Sequence, residues 1–270
     1  LEPSIYSFKV LEAFLAVAEH EKQTHYPVHL KFNTGLNRLG FKSSEAEEVL
    51  TKINRTTSVK IKSVFSHLVA SEDLDEKPFT EAQIKSFKEI ILKIEKNLSY
   101  KPIYHICNTS GILNYPNAHL DMVRTGIGLY GFGNSEKEDQ NLQPIATLKS
   151  VISQIHNIKT GESVGYNRGF IAEKPTRSAT IPIGHADGIG RQYGNKKGFV
   201  TINSKQAPIL GNVCMDMIMV DVTDIDCQEG DEVIIFGKSP NAVAFSKVVN
   251  SISYEIITAI SQRVKRVFIK

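Results

Sequence analysis

Arg124-Thr-Gly126-Ile127-Gly128-Leu-Tyr-Gly131 combines an arginine with closely spaced glycines. Glycines let backbone N–H groups approach a phosphate closely. The spacing Gly126, Gly128, Gly131 also fits G-x-G-x-x-G, which can mark a dinucleotide pyrophosphate loop. Such a loop needs a strand before it, a helix after it, and an acidic residue about 20 positions on. Here the glycines run into Asn134-Ser-Glu-Lys-Glu-Asp-Gln140, a poor amphipathic helix, with the acidic residues inside that loop. The dinucleotide reading fails in this context. What remains is an anion-binding turn with Arg124 beside it, or a tight turn with Arg124 in a structural ion pair, since a buried arginine needs a partner.

The elements that would position this turn alternate. Ile5-Tyr6 predicts a short strand, and Leu11, Phe14, Leu15 and Ala18 have helical spacing. Val28–Phe32 predicts a second strand. Ser44 with Glu47 reads as a capping box for a helix over 45–55. Val59–Phe65 is a third strand. Thr80 with Gln83 reads as another capping box, ahead of Ile84, Phe87, Ile90, Ile91 and Ile94. Ile103–Cys107 and Met122-Val123 complete five strands. Alternation of this kind implies parallel strands with helical crossovers. Beyond a polar stretch, Asn134–Gln143, come short β-rich runs: Ala146–Ile155, Ser178–Ile183, Phe199–Ile202, Met217–Val222 and Glu232–Phe236. Turn residues separate them. A closing helix over 246–261 carries Val249, Ile252, Ile256 and Ile260. The expected organisation is an α/β domain over 1–138 and a mostly β domain with a closing helix over 139–270.

Composition narrows the classes. The 270 residues are 41% hydrophobic and 23% charged, with net charge +3, and the lysines are scattered. No basic run is interleaved with aromatics, so nucleic acid is not an expected partner. No apolar run has the length of a membrane span, and no signal peptide is evident. The three cysteines have no paired metal spacing and suit a reducing cytoplasm. No metal site is expected. The chain opens Leu-Glu-Pro-Ser without a methionine, which reads as a fragment.

Ordered motifs resemble one family. His119-Leu-Asp121-Met-Val-Arg124-Thr-Gly126-Ile-Gly-Leu-Tyr-Gly131 is similar to the barrel-end motif of bacterial alanine racemases. So are His29-Leu-Lys31-Phe-Asn-Thr-Gly35-Leu-Asn-Arg38-Leu-Gly40, Phe65-Ser-His67-Leu, Asn108-Thr109-Ser-Gly, Pro182-Ile-Gly184-His-Ala-Asp187-Gly188 and Gly211-Asn-Val-Cys-Met215-Asp216. The tail from Tyr254 also fits. The resemblance covers nearly the whole chain. It implies a (β/α)8 TIM-type barrel, present here as its last five strands, followed by a β-rich domain. It also implies a cytoplasmic, head-to-tail homodimer that uses pyridoxal 5'-phosphate to racemise a small amino acid and supply D-alanine for peptidoglycan. The family lysine that forms the Schiff base lies in an earlier strand motif, and no lysine of this chain stands in that motif. The resemblance therefore implies that this chain alone is inactive.

Roles carry over residue by residue as implications of that resemblance. Tyr166 corresponds to a base reaching across from the partner subunit. His67 and Arg124 correspond to a relay ending at the pyridine nitrogen. Asn108, Thr109, Gly126, Ile127 and Tyr254 correspond to cofactor contacts. Arg38, Met215 and Asp216 correspond to substrate contacts, and Lys31 to a lysine often found carbamylated. His185 and Ile189 replace aromatics at the mouth of the substrate channel, where Arg191 also falls. From the residues alone, Tyr166 reads equally as an exposed turn tyrosine, His67 as a core histidine and Lys31 as a solvated lysine. Two rival functions stay open: a racemase of broader scope, since His185 and Ile189 alter the channel, and a non-catalytic cofactor-binding or assembly module.

Overall fold

Strand–helix alternation in the first part of the chain produces a parallel sheet. The structure, a computed structural model, describes residues 1–269. It divides into two compact units, Leu1–Gln143 and the residues from Pro144 onward. In the first unit, β1 (Ser4–Ile5), β2 (Tyr26–Lys31), β3 (Val59–Phe65) and β4 (Ile103–His105) lie in that order, all parallel. Between them run α1 (Phe8–His20), α2 (Ala46–Asn54) and α3 (Lys77–Asn97). Side chains alternate across each strand. Val28, Leu30, Val64 and Tyr104 pack with Leu11, Val49, Leu50, Phe87, Ile90 and Ile94 in one buried cluster. Burial of each such aliphatic side chain contributes roughly 1.5–3 kcal/mol. The intervening positions are different in kind: His29, Lys31, Ser63, Phe65 and His105.

Register places these intervening residues in rows. His29 pairs with Ser63, Lys31 with Phe65, and Phe65 with His105. The register shifts between Val28 and His29, which brings Ser63 opposite His29. The usual interior of a closed parallel barrel is filled by branched aliphatics. These rows carry histidine, lysine and serine around one phenylalanine instead.

The helix starts differ from the sequence reading. Ser44 and Glu47 do not form the cap of α2. Ser43–Glu45 make a 3₁₀ turn, and the Glu45 carboxylate accepts from the Lys42 N–H at 2.6 Å. Helix α3 begins at Lys77 with Pro78 in its first turn, so Thr80 lies inside the helix. Proline fits there because its missing N–H would go unused. The Thr80 hydroxyl donates to the Ala70 carbonyl at 3.3 Å. Gln83 accepts from the Val69 N–H at 3.0 Å and donates to the His67 carbonyl at 3.4 Å. Both supposed cap residues instead tie down the loop that follows β3.

The fifth expected strand, Met122-Val123, is not a regular strand. The segment runs beside the end of β4 with separate backbone bonds, Asp121 N–H to the Tyr104 carbonyl and Arg124 N–H to the Cys107 carbonyl, at 3.1 and 3.0 Å. Four strands, not five, form the parallel sheet. Between β4 and this segment lies α4 (Thr109–Asn114), capped by Asn108.

After a single helical turn, α5 (Glu136–Asp139), the second unit is an antiparallel seven-stranded sheet. Its strands are β5 (Leu148–Val151), β6 (Gln154–Ile158), β9 (Thr176–Ile181), β10 (Phe199–Ile202), β11 (Lys205–Leu210), β12 (Ile218–Asp221) and β13 (Glu232–Phe236), in the order β5-β13-β10-β11-β12-β9-β6. A separate ribbon pairs β7 (Ser163–Val164) with β8 (Phe170–Ile171). Strand β11 was not anticipated, because Pro208 interrupts its pattern; Pro208 stands opposite Phe199. The closing helix is two helices, α6 (Ala242–Lys247) and α7 (Ser253–Ala259). They break at Asn250, where φ is 56° and Ser251 N–H bonds back to the Ser246 carbonyl. Asparagine tolerates this left-handed conformation better than most residues.

Candidate functional site

Arg124 organises the first unit's polar face. Its Nη2 donates to the Ser66 carbonyl at 2.8 Å, to the Ile106 carbonyl at 3.3 Å and to His67 Nδ1 at 3.3 Å. Its Nη1 donates to His105 Nδ1. The guanidinium also lies over the Phe65 ring, 5.3 Å from the centroid, and the Phe65 and His105 rings stack at 5.0 Å. A guanidinium has five N–H groups and no acceptor. The Nε–H and the second Nη1 proton have no partner among the described residues, so Arg124 is held firmly and still has donors to offer.

Both histidines serve as neutral acceptors. Burial, followed by the charges of Arg124, Arg38 and Lys31, pushes His67 down to about 4. Burial, Arg124 and His29 push His105 down to about 4. At neutral pH each imidazole therefore carries one proton. Arg124 can only donate, so that proton sits on Nε2 in both rings. His105 was read from the sequence only as part of a strand. Its signal is the alternation of polar residues, His29 and Lys31 on one strand, Ser63 on the next, His105 on the third.

Lys31 is buried, 9% exposed, with its ammonium 5.9 Å from the Phe65 ring centroid. It makes no hydrogen bond or ion pair with any described residue. Burial, then the charges of Arg38 and Arg124, lowers its pKa. The solvated-lysine reading is therefore set aside. Arg38 is exposed, and Asn37 before it has φ of 55°.

The glycine turn forms beneath Arg124. Ile127–Tyr130 is a single 3₁₀ turn closed by Gly131 at φ 81°. The Thr109 hydroxyl accepts from the Gly126 N–H at 3.1 Å and the Gly128 N–H at 3.4 Å. A Cβ at Gly128 would lie 2.8 Å from Thr125 Oγ1 and 2.9 Å from Thr109 Cγ2, so only glycine permits this approach. Asn108 is committed to its own helix. Its side-chain oxygen accepts from the Gly111 N–H at 2.9 Å and from the Ser71 hydroxyl at 2.8 Å. Glu138, 2% exposed, fixes the turn's far end by accepting from Ser110 Oγ, Asn114 Nδ2 and the Asn134 N–H.

The second unit carries the remaining residues. Tyr166 follows Gly165, whose φ is 78°, and is 73% exposed. Its carbonyl accepts from Asn212 Nδ2 at 3.0 Å. Met215 is 61% exposed, and Asp216 beside it is exposed. His185 and Ala186 N–H groups donate to the Cys214 and Met215 carbonyls at 2.9 and 2.7 Å. A Cβ at Gly184 would strike backbone atoms of Cys214, Asp216 and Met217 within 2.6–2.7 Å. These loops therefore present His185, Met215 and Asp216 on one exposed rim. Asp187, 5% exposed, anchors the rim by accepting from Arg263 Nε and Nη2 at 2.6 and 2.9 Å. Arg191 and Tyr254 are exposed. Ile189 is fully buried.

The donors on the first unit suit a small ring with an acceptor nitrogen and a phosphate. Arg124 retains free N–H groups. The Ile127 N–H, at the first position of its turn, is not used by that turn. Gly128 packs against Thr125 and Thr109 too closely for any side chain, which keeps the Thr109 hydroxyl against the turn. Among the described residues no cluster of metal ligands exists, and no helix is long and apolar enough to cross a membrane.

Comparison with known proteins agrees in extent and fold. Residues 1–133 match the family "Alanine racemase, N-terminal domain" and residues 145–268 match "Alanine racemase, C-terminal domain". Alanine racemase 1 of Clostridium acetobutylicum is 36% identical over 280 aligned positions, covering all of this chain and 72% of that protein. The alanine racemase of Streptomyces lavendulae superposes with a TM-score of 0.89 at 28% identity, over 99% of this chain and 72% of that one. That of Bartonella henselae, solved with covalently bound pyridoxal phosphate, gives a TM-score of 0.85 at 29% identity, over 100% of this chain and 73% of that one.

Proposed function

Because this chain belongs to the alanine racemase family of pyridoxal-phosphate-dependent isomerases, we propose that it supplies most of an active site interconverting L- and D-alanine. The observation that carries this reading is Arg124. It is clamped by Ser66, His67, Ile106 and His105 while keeping free N–H donors. The Thr109 hydroxyl and the Ile127 N–H, beside the turn that Gly126 opens, would hold the phosphate of pyridoxal 5'-phosphate. Bound there, the group supplies an electron-accepting ring that makes the α-proton of an attached amino acid acidic.

The chain's own residues account for the proton on one face. Tyr166 would take and return it, contributed by the partner subunit of a head-to-tail dimer. A free tyrosine titrates near about 10, so a working base needs help. The His67 Nε2–H, backed by the Arg124 cation, is a donor able to stabilise a phenolate. Arg124 would donate a hydrogen bond to the ring nitrogen without surrendering a proton, because guanidinium stays charged. That keeps the ring a weaker electron sink and favours return of the proton to the α-carbon. Arg38 would contact the substrate, together with Met215 of the partner subunit and Asp216 of the partner subunit. Carbon dioxide added to the Lys31 amine, with loss of a proton to solvent, would place a carbamate anion in the field of Arg38 and Arg124.

The family's second base is the cofactor-linking lysine, and no lysine of this chain stands in the matching motif. We therefore expect the 270 residues by themselves to hold the cofactor weakly and to leave alanine unracemised. Function in the cytoplasm, feeding D-alanine to peptidoglycan synthesis, follows from the same reading. Exposure of His185 on the rim with Met215 favours one second reading, a racemase of broader amino-acid scope. Titration of the purified chain with pyridoxal 5'-phosphate, followed by fluorescence, tests the site. Thr109→Val and Arg124→Gln should each weaken binding about tenfold, the loss of one charge-assisted hydrogen bond. Equal binding by both variants and the parent would overturn the assignment.

A further inference from the structure

Behind Arg124 a line of hydrogen bonds runs to the protein surface. His105 Nε2 lies 3.1 Å from Ser63 Oγ, and the same oxygen lies 2.6 Å from His29 Nδ1. His29 Nε2 lies 2.9 Å from Glu2 Oε2, and Lys62 Nζ holds Glu2 Oε1 at 2.7 Å. Ser63 is 1% and His105 4% exposed, while Glu2 stands at the surface. These residues come from the segment before β1 and from β2, β3 and β4, one step on each strand.

The direction of the line starts from one fact, that Arg124 can only donate. His105 must accept on Nδ1, so its proton is on Nε2 and points at Ser63. Ser63 Oγ accepts that hydrogen bond and donates its own O–H to His29 Nδ1. His29 then carries its proton on Nε2 and gives it to the Glu2 carboxylate. Each bond in this line polarises the next. We propose that Ser63, His29 and Glu2 are positioning residues that anchor the Nε2–H tautomer of His105, which Arg124 selects, and thereby hold Arg124 in place for its cofactor contact. The cofactor part of this statement rests on the function proposed above; the tautomer part does not.

Nitrogen NMR of isotope-labelled histidine in the 270-residue chain reads the tautomers directly. In the parent protein His105 and His29 should both show a protonated Nε2 and a bare Nδ1. Glu2→Ala changes only the surface end and leaves the buried residues intact. It should nevertheless average the His29 tautomers and speed exchange of the His105 Nε2 proton by about tenfold or more, the loss of one polarised link. Ser63→Ala should release His105 entirely and weaken pyridoxal 5'-phosphate binding about tenfold. Unchanged His105 signals in Glu2→Ala, or a protonated Nδ1 in the parent, would overturn the relay. Released His105 signals with undiminished cofactor binding in Ser63→Ala would overturn its role in holding Arg124. If the parent chain binds no cofactor, the function proposed above fails, and the tautomer signals still decide the relay.

Discussion

Arg124 Nη2 and His67 Nδ1 meet at 3.3 Å, and this contact decides which nitrogen of His67 faces outward with a proton. The same contact lowers the pKa of His67, although burial is the larger cause. Arg124→Gln removes the cation and keeps a donor. The His67 pKa should then rise from about 4 part of the way toward its ordinary value. An NMR titration of the His67 ring measures this. No rise would mean that Arg124 does not set the electrostatics of His67.

Both buried imidazoles also tie stability to pH. The folded-state pKa values of His67 and His105 are each lowered to about 4, against an ordinary value of 6.5. Between those values the unfolded chain binds more protons than the folded one. Stability therefore falls as pH drops from about 6.5 to about 4. Carboxylates whose folded pKa is lowered, such as Asp187 and Asp121, act in a lower window, as pH falls below about 4. Urea midpoints taken across this range should decline above the carboxylate window. The decline should be shallower in His105→Gln. A flat profile above that window would show that the imidazoles are not held neutral.

Burial, then the charges of Arg38 and Arg124, lowers the Lys31 pKa, and carbon dioxide reacts with amines in their uncharged form. With isotope-labelled bicarbonate, carbon NMR should show one carbamate signal in the chain, lost in Lys31→Met. Arg38→Leu removes one neighbouring cation and should weaken that signal. A spectrum without a carbamate at saturating bicarbonate would leave Lys31 as an unpaired amine and remove the anion assigned to it.

Legibility followed the physics of each element. Long amphipathic patterns gave α1 and α3, and branched aliphatic runs gave β2 and β3, because each buries a face set by its period. The glycine turn was recognisable since Gly128 has no alternative within reach of Thr109. Local capping was misread. Ser44–Glu47 and Thr80–Gln83 have capping spacing, yet Glu45 and Pro78 lie nearer the true starts, and tertiary contacts claim Thr80 and Gln83. His105 was missed because one polar residue in a short apolar strand resembles tolerated burial. Only the register with Ser63 and Phe65 on neighbouring strands shows it as part of a row.

The central claim is that these residues form one face of an alanine-racemising site. The rate at which L-alanine becomes D-alanine tests it, measured with pyridoxal 5'-phosphate present. The protein to use is this chain joined at Leu1 to the preceding segment of the Clostridium acetobutylicum relative. Turnover is expected in the joined protein and not in the 270 residues alone. Tyr166→Phe should lower it by about 10²–10⁴-fold, the usual cost of losing a general base. Its proton exchange should become unequal for the two enantiomers. A joined protein that folds and retains the cofactor, yet racemises equally well with and without the Tyr166 hydroxyl, would contradict the account.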